Sequence, residues 1–544
     1  MNNKTRKVLI ANRGEIALRI QRAALKLKIE PIIALSEVDA AGYVGRNAHK
    51  FVILGPGPVA QSYTNIEKII ALALENGCDA IHPGYGFLSE RADFAKAVTD
   101  AGLTWIGPSA ESISALGSKT AARAVATANS VPVASGSAGE LNDAQLIECA
   151  NTFGYPVLIK AVAGGGGRGM RKAFSAAELA EQLPRARGEA KKNFGSDDVF
   201  LEQLIIEPRH VEVQIFGDSH GNVVSFGTRD CSAQRRHQKV IEEGPAPFIA
   251  AGLLEKIEQA AVRVAKAVGY TNAGTAEFLL SGEQFFFLEM NTRIQVEHPV
   301  TEEITGVDLV ELQFRVAAGE KIADAILVSG IKNKVAGHAI ELRLYAEDPA
   351  FNFAPSLGVI THVKFPSFPW LRIEQGFESG DEISPFYDAM IAKLIITGDS
   401  RAQAIERAQV LSRSVELSGI VTNLSFLAWL LHESKFAQAP LDITYIDREW
   451  TAEKMATAEA ILLVDPAHRS SLKQEQFVEI IELKNGSSEE PASAFVSITH
   501  EQGKTFLVSS LAVSTLKAEP AQKIRSNSRA LALQGFKEHL SVER

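Results

Sequence analysis

The sequence predicts an α/β protein of several domains whose opening unit is a doubly wound sheet, and its opening residues carry that expectation. Lys7-Val8-Leu9-Ile10-Ala11 is an apolar run typical of a buried strand; Ile16, Ala17, Ile20, Ala23, Ala24 and Leu27 recur at helical spacing, and Pro31-Ile32-Ile33-Ala34-Leu35 follows as a second strand. Such a β-α-β opening feeds a parallel sheet, with later strands expected around Ala80-Ile81 and Trp105-Ile106. A run of four glycines then follows the strand Val157-Leu158-Ile159-Lys160. Finally, two carboxylates face each other across a hairpin near residue 283. At 544 residues the chain has room for several domains of about 100–200 residues and an ample core.

Hydrophobic residues make up 46% of the chain and charged residues 22%, and with 41 glycines this describes a globular protein rich in tight turns. A formal net charge of -9 argues against general nucleic-acid binding, so an anionic substrate must be met by local basic groups. Cys78, Cys149 and Cys231 show no metal-ligand spacing; so few thiols fit a reducing compartment, with the cytoplasm as the expected location. The basic N-terminus runs directly into a strand, and no apolar stretch reaches the roughly 18 residues of a membrane span, so neither signal peptide nor membrane anchor is expected.

The turn Asn12-Arg13-Gly14-Glu15 lacks the Gly-x-Gly-x-x-Gly fingerprint, so the opening unit is expected to share a nucleotide fold without binding a dinucleotide. His82-Pro83-Gly84-Tyr85-Gly86-Phe87-Leu88-Ser89-Glu90 follows a strand end, where such sheets carry binding loops; a structural crossover is the alternative. Glycines 164–167 offer backbone N–H groups to phosphates, with Lys160, Arg168 and Arg171 supplying charge. No Gly-Lys-Ser/Thr ends the run, which disfavours a Walker loop and suits a flap closing over a nucleotide, with a plain linker as the alternative. Phe200 to Ile205 reads as the strand ending that lid, and the alternation from His210 to Gln214 predicts a half-exposed strand. Thr228 to Lys239 is dense in Arg, His and Lys; a solvated face is the usual reading of such a run, but its place after apolar strands favours oxyanion binding.

Asp308 to Gln313 begins an amphipathic helix that closes a compact unit near residue 320. Gly337 to Tyr345 starts a β-rich third unit, with strands around Val359 to Lys364 and Leu394 to Thr397, and Arg401 to Leu431 is largely helical, interrupted at Gly419. Glu341, Arg343 and Tyr345 alternate with apolar residues, and pattern alone makes Arg343 a surface residue. From residue 450 the character changes: a helix over Ala452 to Leu463, a linker or turn over Gly486 to Pro491, then short β segments.

The strongest chemical signal is Leu288 to Pro299, where Glu289, Asn291, Arg293, Gln295 and Glu297 recur at a spacing of two and would share one face of an extended chain. Ala276 to Leu280 and Phe285 to Glu289 read as strands around Ser281-Gly282-Glu283, and pairing symmetric about residue 283 sets Glu277 opposite Glu289. Opposed like charges destabilise a hairpin. A divalent cation removes the repulsion, and carboxylate and amide oxygens suit Mg²⁺ shared with a phosphate ligand. The expectation is a metal-nucleotide site running into an Arg/Gln/Glu row, against the alternative of a solvated polar face.

With these motifs in order, residues 5 to about 449 resemble biotin carboxylase, an ATP-grasp enzyme. The resemblance is carried by Ala11-Asn12-Arg13-Gly14-Glu15, His82-Pro83-Gly84-Tyr85-Gly86, Gly164 to Met170, Arg229-Asp230-Cys231-Ser232 through Gln238-Lys239, and Glu289 to Thr301. It implies a doubly wound N-terminal domain over residues 1–117, an ATP-grasp domain over 118–331 with a mobile lid at about 135–203, and an α+β C-terminal domain over 332–449, leaving a small β-rich tail over 450–544. The family uses MgATP and bicarbonate to carboxylate the ureido nitrogen of biotin, releasing ADP and phosphate. By resemblance, Glu277 and Glu289 would bind Mg²⁺ or Mn²⁺ with help from Asn291. Lys119, Lys160, Gly166 and Gly167 would contact ATP phosphates, Glu202, Gln203, Leu204 and Ile205 the adenine largely by backbone, and His210, Gln234 and His237 the rest of the nucleotide. Lys239, Arg293, Gln295 and Val296 would hold bicarbonate, with Lys239 and Arg293 counted among the catalytic residues, and Glu297 would be the general base. Arg343, in the Glu-x-Arg segment before Ala346-Glu347-Asp348-Pro349, would stabilise the enolate-like oxygen of biotin, which replaces the surface reading.

Ser36 to His49 departs from the family's usual wording. No Ala-Met-Lys-Met biotinylation site occurs; Glu453-Lys454-Met455 lacks the methionine before the lysine and falls in an expected helix. The resemblance therefore implies biotin presented by a separate carrier protein, a carboxyltransferase subunit as a further partner, and a homodimer, with no nucleic acid and no membrane. The tail would be a docking domain or a remnant of the linker in longer acyl-CoA carboxylase α subunits. Two other functions compete: a bicarbonate-activating ligase with another acceptor, which Arg343 and Glu297 argue against, and a non-catalytic nucleotide-binding scaffold, which the metal carboxylates, Lys239 and Arg293 argue against.

Overall fold

The opening residues build the parallel sheet that the apolar runs foretell. In the computed structural model, β1 (Lys7–Ile10), β2 (Glu30–Ser36), β3 (Phe51–Gly55), β4 (Ala80–His82) and β5 (Thr104–Trp105) lie in the order β3-β2-β1-β4-β5, all pairs parallel. The structure describes residues 5–137, 141–162, 170–328 and 336–451, and beyond them a few residues of 454–462 and three short strands. It divides into two compact units, Met1–Glu341 with Ala439–Arg448, and Leu342–Gln438 with Glu449–Arg544. Helix α1 (Gly14–Lys26) buries Ile16, Ala17, Ile20, Ala23 and Ala24 against Val8, Ile10, Ile33 and Leu35. Each of its buried isoleucines contributes about 1.5–3 kcal/mol. Glu15 in its first turn and Lys26 in its last complement the helix dipole.

The loop after β4 is tied to the turn after β1. Asn12 Nδ2 donates to the carbonyls of Pro83 and Tyr85, both at 2.7 Å, and the Tyr85 hydroxyl meets Glu15. Gly84 is required twice over: its φ is +63°, and a Cβ there would come within 2.8 Å of Asn12 Nδ2. Over residues 83–85 these contacts are those of a structural crossover. His82 is fully buried, accepts from Gly84 N at 3.0 Å, and burial pushes its pKa down to about 3.

The lid segment is a small antiparallel sheet in the order β7-β6-β8, from β6 (Val157–Ala161), β7 (Arg171–Ala173) and β8 (Val199–Gln203). Its core joins Val157 and Ile159 to Leu146, Leu179 and Leu183 of the helices Asp143–Phe153 and Ala176–Phe194. Gly166, Gly167 and Arg168 lie outside the described residues.

The central sheet of the first unit comprises β9 (Arg209–Gly217), β10 (Val223–Arg235), β11 (Gln238–Gly244), β12 (Asn272–Ser281) and β13 (Gln284–Asn291), ordered β13-β12-β9-β10-β11 and antiparallel. Val211, Val213 and Ile215 pack with Ile257, Ala260 and Val264 of the helix Ala251–Ala267. The opposite face of β9 carries His210, Glu212 and Gln214, and every residue of the strand is buried. The half-exposed expectation therefore fails: alternation shows only that two faces differ, and here the polar side is enclosed by other charged groups.

The β12–β13 hairpin reaches its predicted pairing by another route. Ser281 pairs with Gln284 across a Gly282-Glu283 turn, and this register, continued, would set Glu277 beside Leu288. A bulge between Phe278 and Glu277 absorbs Leu288, and Glu277 then pairs with Glu289.

In the second unit, Leu371–Gln375 pairs antiparallel with Met390–Gly398, and the helices Arg401–Ser414 and Leu424–His432 flank the short strand Glu416–Ser418 and Gly419, whose φ is +97°. The stretch Val359 to Lys364 is not one strand: Gly358–Val359 pairs with Glu382–Ile383 and His362–Lys364 with Glu416–Ser418. Trp450 packs on Phe353, Phe426 and Trp429 with ring centroids at 6.2, 5.0 and 4.9 Å. Further on, Glu479–Glu482, Ala494–Thr499 and Thr505–Ser509 form an antiparallel sheet. Most of the helix expected over Ala452 to Leu463, and all of Gly486 to Pro491, lie outside the described residues. Among the described residues no helix is long and apolar enough to cross a membrane.

The burial of His82 has a pH signature. The unfolded chain takes up a proton near 6.5 that the native state refuses until about 3, so stability from this residue is full above 6.5 and is lost as pH falls. Between pH 6.5 and 5 the loss should be about 1.6 kcal/mol. Urea midpoints measured across that range should fall less steeply for His82→Gln than for the parent; parallel slopes would refute the assignment.

Candidate active site

Four adjacent strands place one charged residue each in a lateral row. Arg229 on β10 registers with Glu212 on β9, Glu212 with Glu277 on β12, and Glu277 with Glu289 on β13. Arg229 and Glu212 are wholly buried; Arg229 Nε meets Glu212 Oε1 at 2.5 Å, and its Nη1 donates to Gln214 Oε1 at 2.9 Å and Thr301 Oγ1 at 2.7 Å. Sequence reasoning treated Arg229 as part of an oxyanion-binding run, but its charge is committed to Glu212. Glu212 itself was missed. The spacing from His210 put it on the right face, but its importance comes from Glu277, far away in sequence.

Lys239, at the start of β11, reaches into this row. Its Nζ donates to Glu212 Oε2 at 2.6 Å, Glu277 Oε1 at 2.9 Å and Glu297 Oε1 at 2.7 Å, which uses all three N–H bonds of an ammonium. Burial opposes the charge, but the surrounding anionic groups outweigh it and raise the pKa well above lysine's ordinary value. Glu277 Oε1 also accepts from Asn291 Nδ2 at 2.8 Å and Gln295 Nε2 at 3.3 Å, and His210 Nε2 lies 3.2 Å from its other oxygen. Against the cost of burial, Lys239 and His210 hold the Glu277 carboxyl well below the usual range, and Glu277 in turn raises His210. Cys231 Sγ lies 4.0 Å from Glu297 Oε1, its thiol pKa pushed well up by burial.

The row from Glu289 to Glu297 is not one extended strand. β13 ends at Asn291, the chain bends at residues 292–293, and Glu297 stands just before the helix His298–Thr305. The side chains converge because of the bend: Arg293 donates to Gln295 Oε1 at 2.7 Å and Asn291 Oδ1 at 3.1 Å, Gln295 reaches Glu277, and Glu297 reaches Lys239. Val296 lies between them in the same turn.

The donors present fit a divalent cation on the hairpin. Glu277 and Glu289 are register partners; Glu289 keeps 32% of its side chain exposed, with Lys119 Nζ at 3.3 Å. Paired carboxylates of which one faces solvent suit a hard cation that also holds phosphate oxygens. Asn291 donates to Glu277 and accepts from Arg293, so it braces the carboxylate as it stands and would exchange those contacts to become a ligand. Lys160 is paired with Glu202, which Arg123 also meets at 2.7 Å; burial outweighs that attraction and lowers the Lys160 pKa. Of the backbone proposed to face adenine, Gln203 N donates to Ser135 O at 2.7 Å and Leu204 N to Pro156 O at 2.9 Å, and Ile205 follows the strand end. Gln234 Nε2 lies 3.3 Å from His210 Nδ1. His237 sits in the β10–β11 turn at a φ of +66°, beside Arg236, whose N–H donates to Asp447 at 3.4 Å. Arg343, in the second unit, is 8% exposed, with Nη1 3.5 Å from the Tyr345 hydroxyl, which overturns its surface reading.

The biotin carboxylase of Halalkalibacterium halodurans is 47% identical over 433 residues, covering 79% of this chain and 95% of that protein. The chain belongs to the biotin carboxylase family. Three family descriptions match in order: the biotin carboxylase N-terminal domain over residues 4–113, the carbamoyl-phosphate synthase L chain ATP-binding domain over 118–325, and the biotin carboxylase C-terminal domain over 341–448. The α subunit of mouse mitochondrial methylcrotonoyl-CoA carboxylase is 47% identical over 443 residues, 81% of this chain; the chain spans 61% of the length of that relative. Among solved structures, a Campylobacter jejuni biotin carboxylase in complex with β,γ-ATP matches at a TM-score of 0.78 and 39% identity, covering 82% of this chain and 99% of that one. The biotin carboxylase domain dimer of Hydrogenobacter thermophilus 2-oxoglutarate carboxylase, with MgADP, ADP and bicarbonate, matches at 0.77 and 40% identity, covering 82% and 98%.

Within this biotin carboxylase fold the buried Arg229–Glu212 pair should be sensitive to loss of one partner. Glu212→Gln strands a guanidinium without its countercharge and is expected to cost about 3–5 kcal/mol. Urea unfolding at pH 7 measures it, and a loss below about 1 kcal/mol would show that Arg229 does not depend on Glu212.

Proposed function

We propose that the chain catalyses the MgATP-dependent carboxylation of carrier-borne biotin by bicarbonate, giving carboxybiotin, ADP and phosphate. The observation that carries this reading is the single ammonium of Lys239 between Glu297, a carboxylate suited to act as base, and Glu277, a carboxylate of the proposed metal pair. Family membership supports it, as do the described positions of the motif residues. The domains proposed from the sequence would divide the work between a nucleotide-holding region at 118–331, a biotin-facing region at 332–449 and a partner-docking tail.

In this reading Lys239, which exchanges one of its carboxylate contacts for the anion, holds bicarbonate with Arg293, Gln295 and Val296, and Glu297 takes its proton. A base pinned beside a substrate held by cations is the arrangement that proton transfer needs. The bicarbonate oxygen forms a bond to the γ-phosphorus of ATP as the bond to ADP breaks, leaving carboxyphosphate. Its breakdown yields CO₂ and phosphate; the phosphate takes the ureido proton of biotin, whose nitrogen then bonds to CO₂. Glu277 and Glu289, with Asn291 assisting, would hold the metal ion, which would neutralise phosphate charge. Lys119, Lys160, Gly166 and Gly167 would contact phosphates, and Glu202 to Ile205 with His210, Gln234 and His237 the nucleoside. Arg343 is assigned by its motif to the enolate-like oxygen of biotin, as a fixed cation where charge develops. A biotin carrier protein, a carboxyltransferase subunit and a second copy of the chain are the proposed partners.

ATP hydrolysis with bicarbonate and free biotin, added singly and together, tests the reading: hydrolysis should need bicarbonate and rise with biotin, and hydrolysis indifferent to biotin would sink it. Glu297→Gln should lower bicarbonate-dependent turnover by about 10²-fold or more while MgATP binding stays within about twofold of the parent. Lost nucleotide affinity instead would mean that Glu297 belongs to the nucleotide site.

A further inference from the structure

The motif His82 to Glu90 remains without a task in that reaction, and its last residue reaches the site. Glu90 stands at the end of the loop that Asn12 ties down, and its carboxylate spans the bend after β13: Oε1 accepts from the backbone N–H of Thr292 at 3.1 Å, and Oε2 forms an ion pair with Arg293 Nε at 3.1 Å. Both contacts fall where the strand alternation of Glu289 and Asn291 stops and the turn carrying Gln295 and Glu297 begins. The guanidinium's other nitrogens are directed at Asn291, Gln295 and the Ile294 carbonyl, so four contacts fix its plane and Glu90 supplies the charged one. Glu90 is 41% exposed and Arg293 18%, so the pair sits at the rim of the site and not in the packed core.

We infer that Glu90 is a positioning residue for the bicarbonate site. Resting on the functional reading above, it orients Arg293 through the ion pair and fixes the bend through Thr292 N, and so sets where the anion is held relative to Glu297. The opening domain thereby contributes to bicarbonate recognition without touching substrate. With the Glu90 carboxylate partly exposed, the pair adds little to stability. Its effect belongs in substrate affinity, where a displacement of a binding group by a fraction of its reach lowers rates steeply.

The test compares Glu90→Ala, Glu90→Gln and Glu90→Asp with the parent. Bicarbonate KM in biotin-dependent ATP hydrolysis should rise about tenfold in E90A and less in E90Q, while the KM for MgATP stays within about twofold and the unfolding temperature is nearly unchanged; E90D, which keeps the charge, should recover part of the loss. A bicarbonate KM within about twofold of the parent in both E90A and E90Q would overturn the inference, as would parallel rises in both KM values. E90Q keeps the side-chain volume and an acceptor oxygen, so it decides the question if E90A folds poorly. A second measurement needs no turnover: the bicarbonate concentration giving half the maximal rise in unfolding temperature should shift in the same order. A parent stabilised by bicarbonate but inactive on ATP would overturn the proposed reaction and leave the Glu90 test standing; a parent that bicarbonate does not stabilise, or variants with unshifted midpoints, would overturn the role of Glu90.

Discussion

The ammonium of Lys239 is the group on which the rest of this site depends. Three carboxylates converge on it, and an arrangement of three buried or nearly buried anions is untenable unless matched by positive charge. Arg229 matches Glu212 from the neighbouring strand, Lys239 sits among all three, and His210, raised by Glu277, supplies a third positive charge when protonated. This balance explains why β9 can bury His210, Glu212 and Gln214 on one face while its other face packs on a helix. It also gives the strand order a function: β10-β9-β12-β13 lays the charges side by side at the spacing of neighbouring strands.

Much of this was legible in the sequence, for different reasons in different places. The parallel opening sheet followed from apolar runs and one helical stripe, because burial there is two-sided and the pattern records it directly. The hairpin partners Glu277 and Glu289 were found by assuming a uniform register, yet the turn is one residue shorter and the bulge at Leu288 makes up the difference. A bulge leaves almost no trace in a pattern of alternating residues. Glu212 and Arg343 show a further limit. Alternation reports that two faces differ but not what covers each, so an enclosed charged face and a wet one read alike. The Ser135 and Pro156 carbonyls that take the backbone donors of Gln203 and Leu204 lie nearly 50 or more residues away in sequence and could not have been anticipated locally.

The bend at residues 292–293 is the clearest case of structure departing from sequence pattern to chemical advantage. Had Glu289 to Glu297 remained extended, eight residues at about 3.3 Å each would have carried Glu297 roughly 26 Å beyond Glu289. The proposed metal site at one end and the proposed base at the other would then be too far apart to share a reaction. The bend folds the chain back so that Glu297 and Glu277 share one ammonium, 2.7 and 2.9 Å from its nitrogen. In the proposed reaction a single short segment would thus serve both the nucleotide and the anion that attacks it, provided that the bend keeps its angle. Arg293 cannot hold that angle alone, because its own orientation is set by Asn291 on one side of the bend and Gln295 on the other. A fixed point from outside the segment is needed, and the carboxylate of Glu90, carried on a loop that Asn12 and Gly84 lock to the first sheet, is that point.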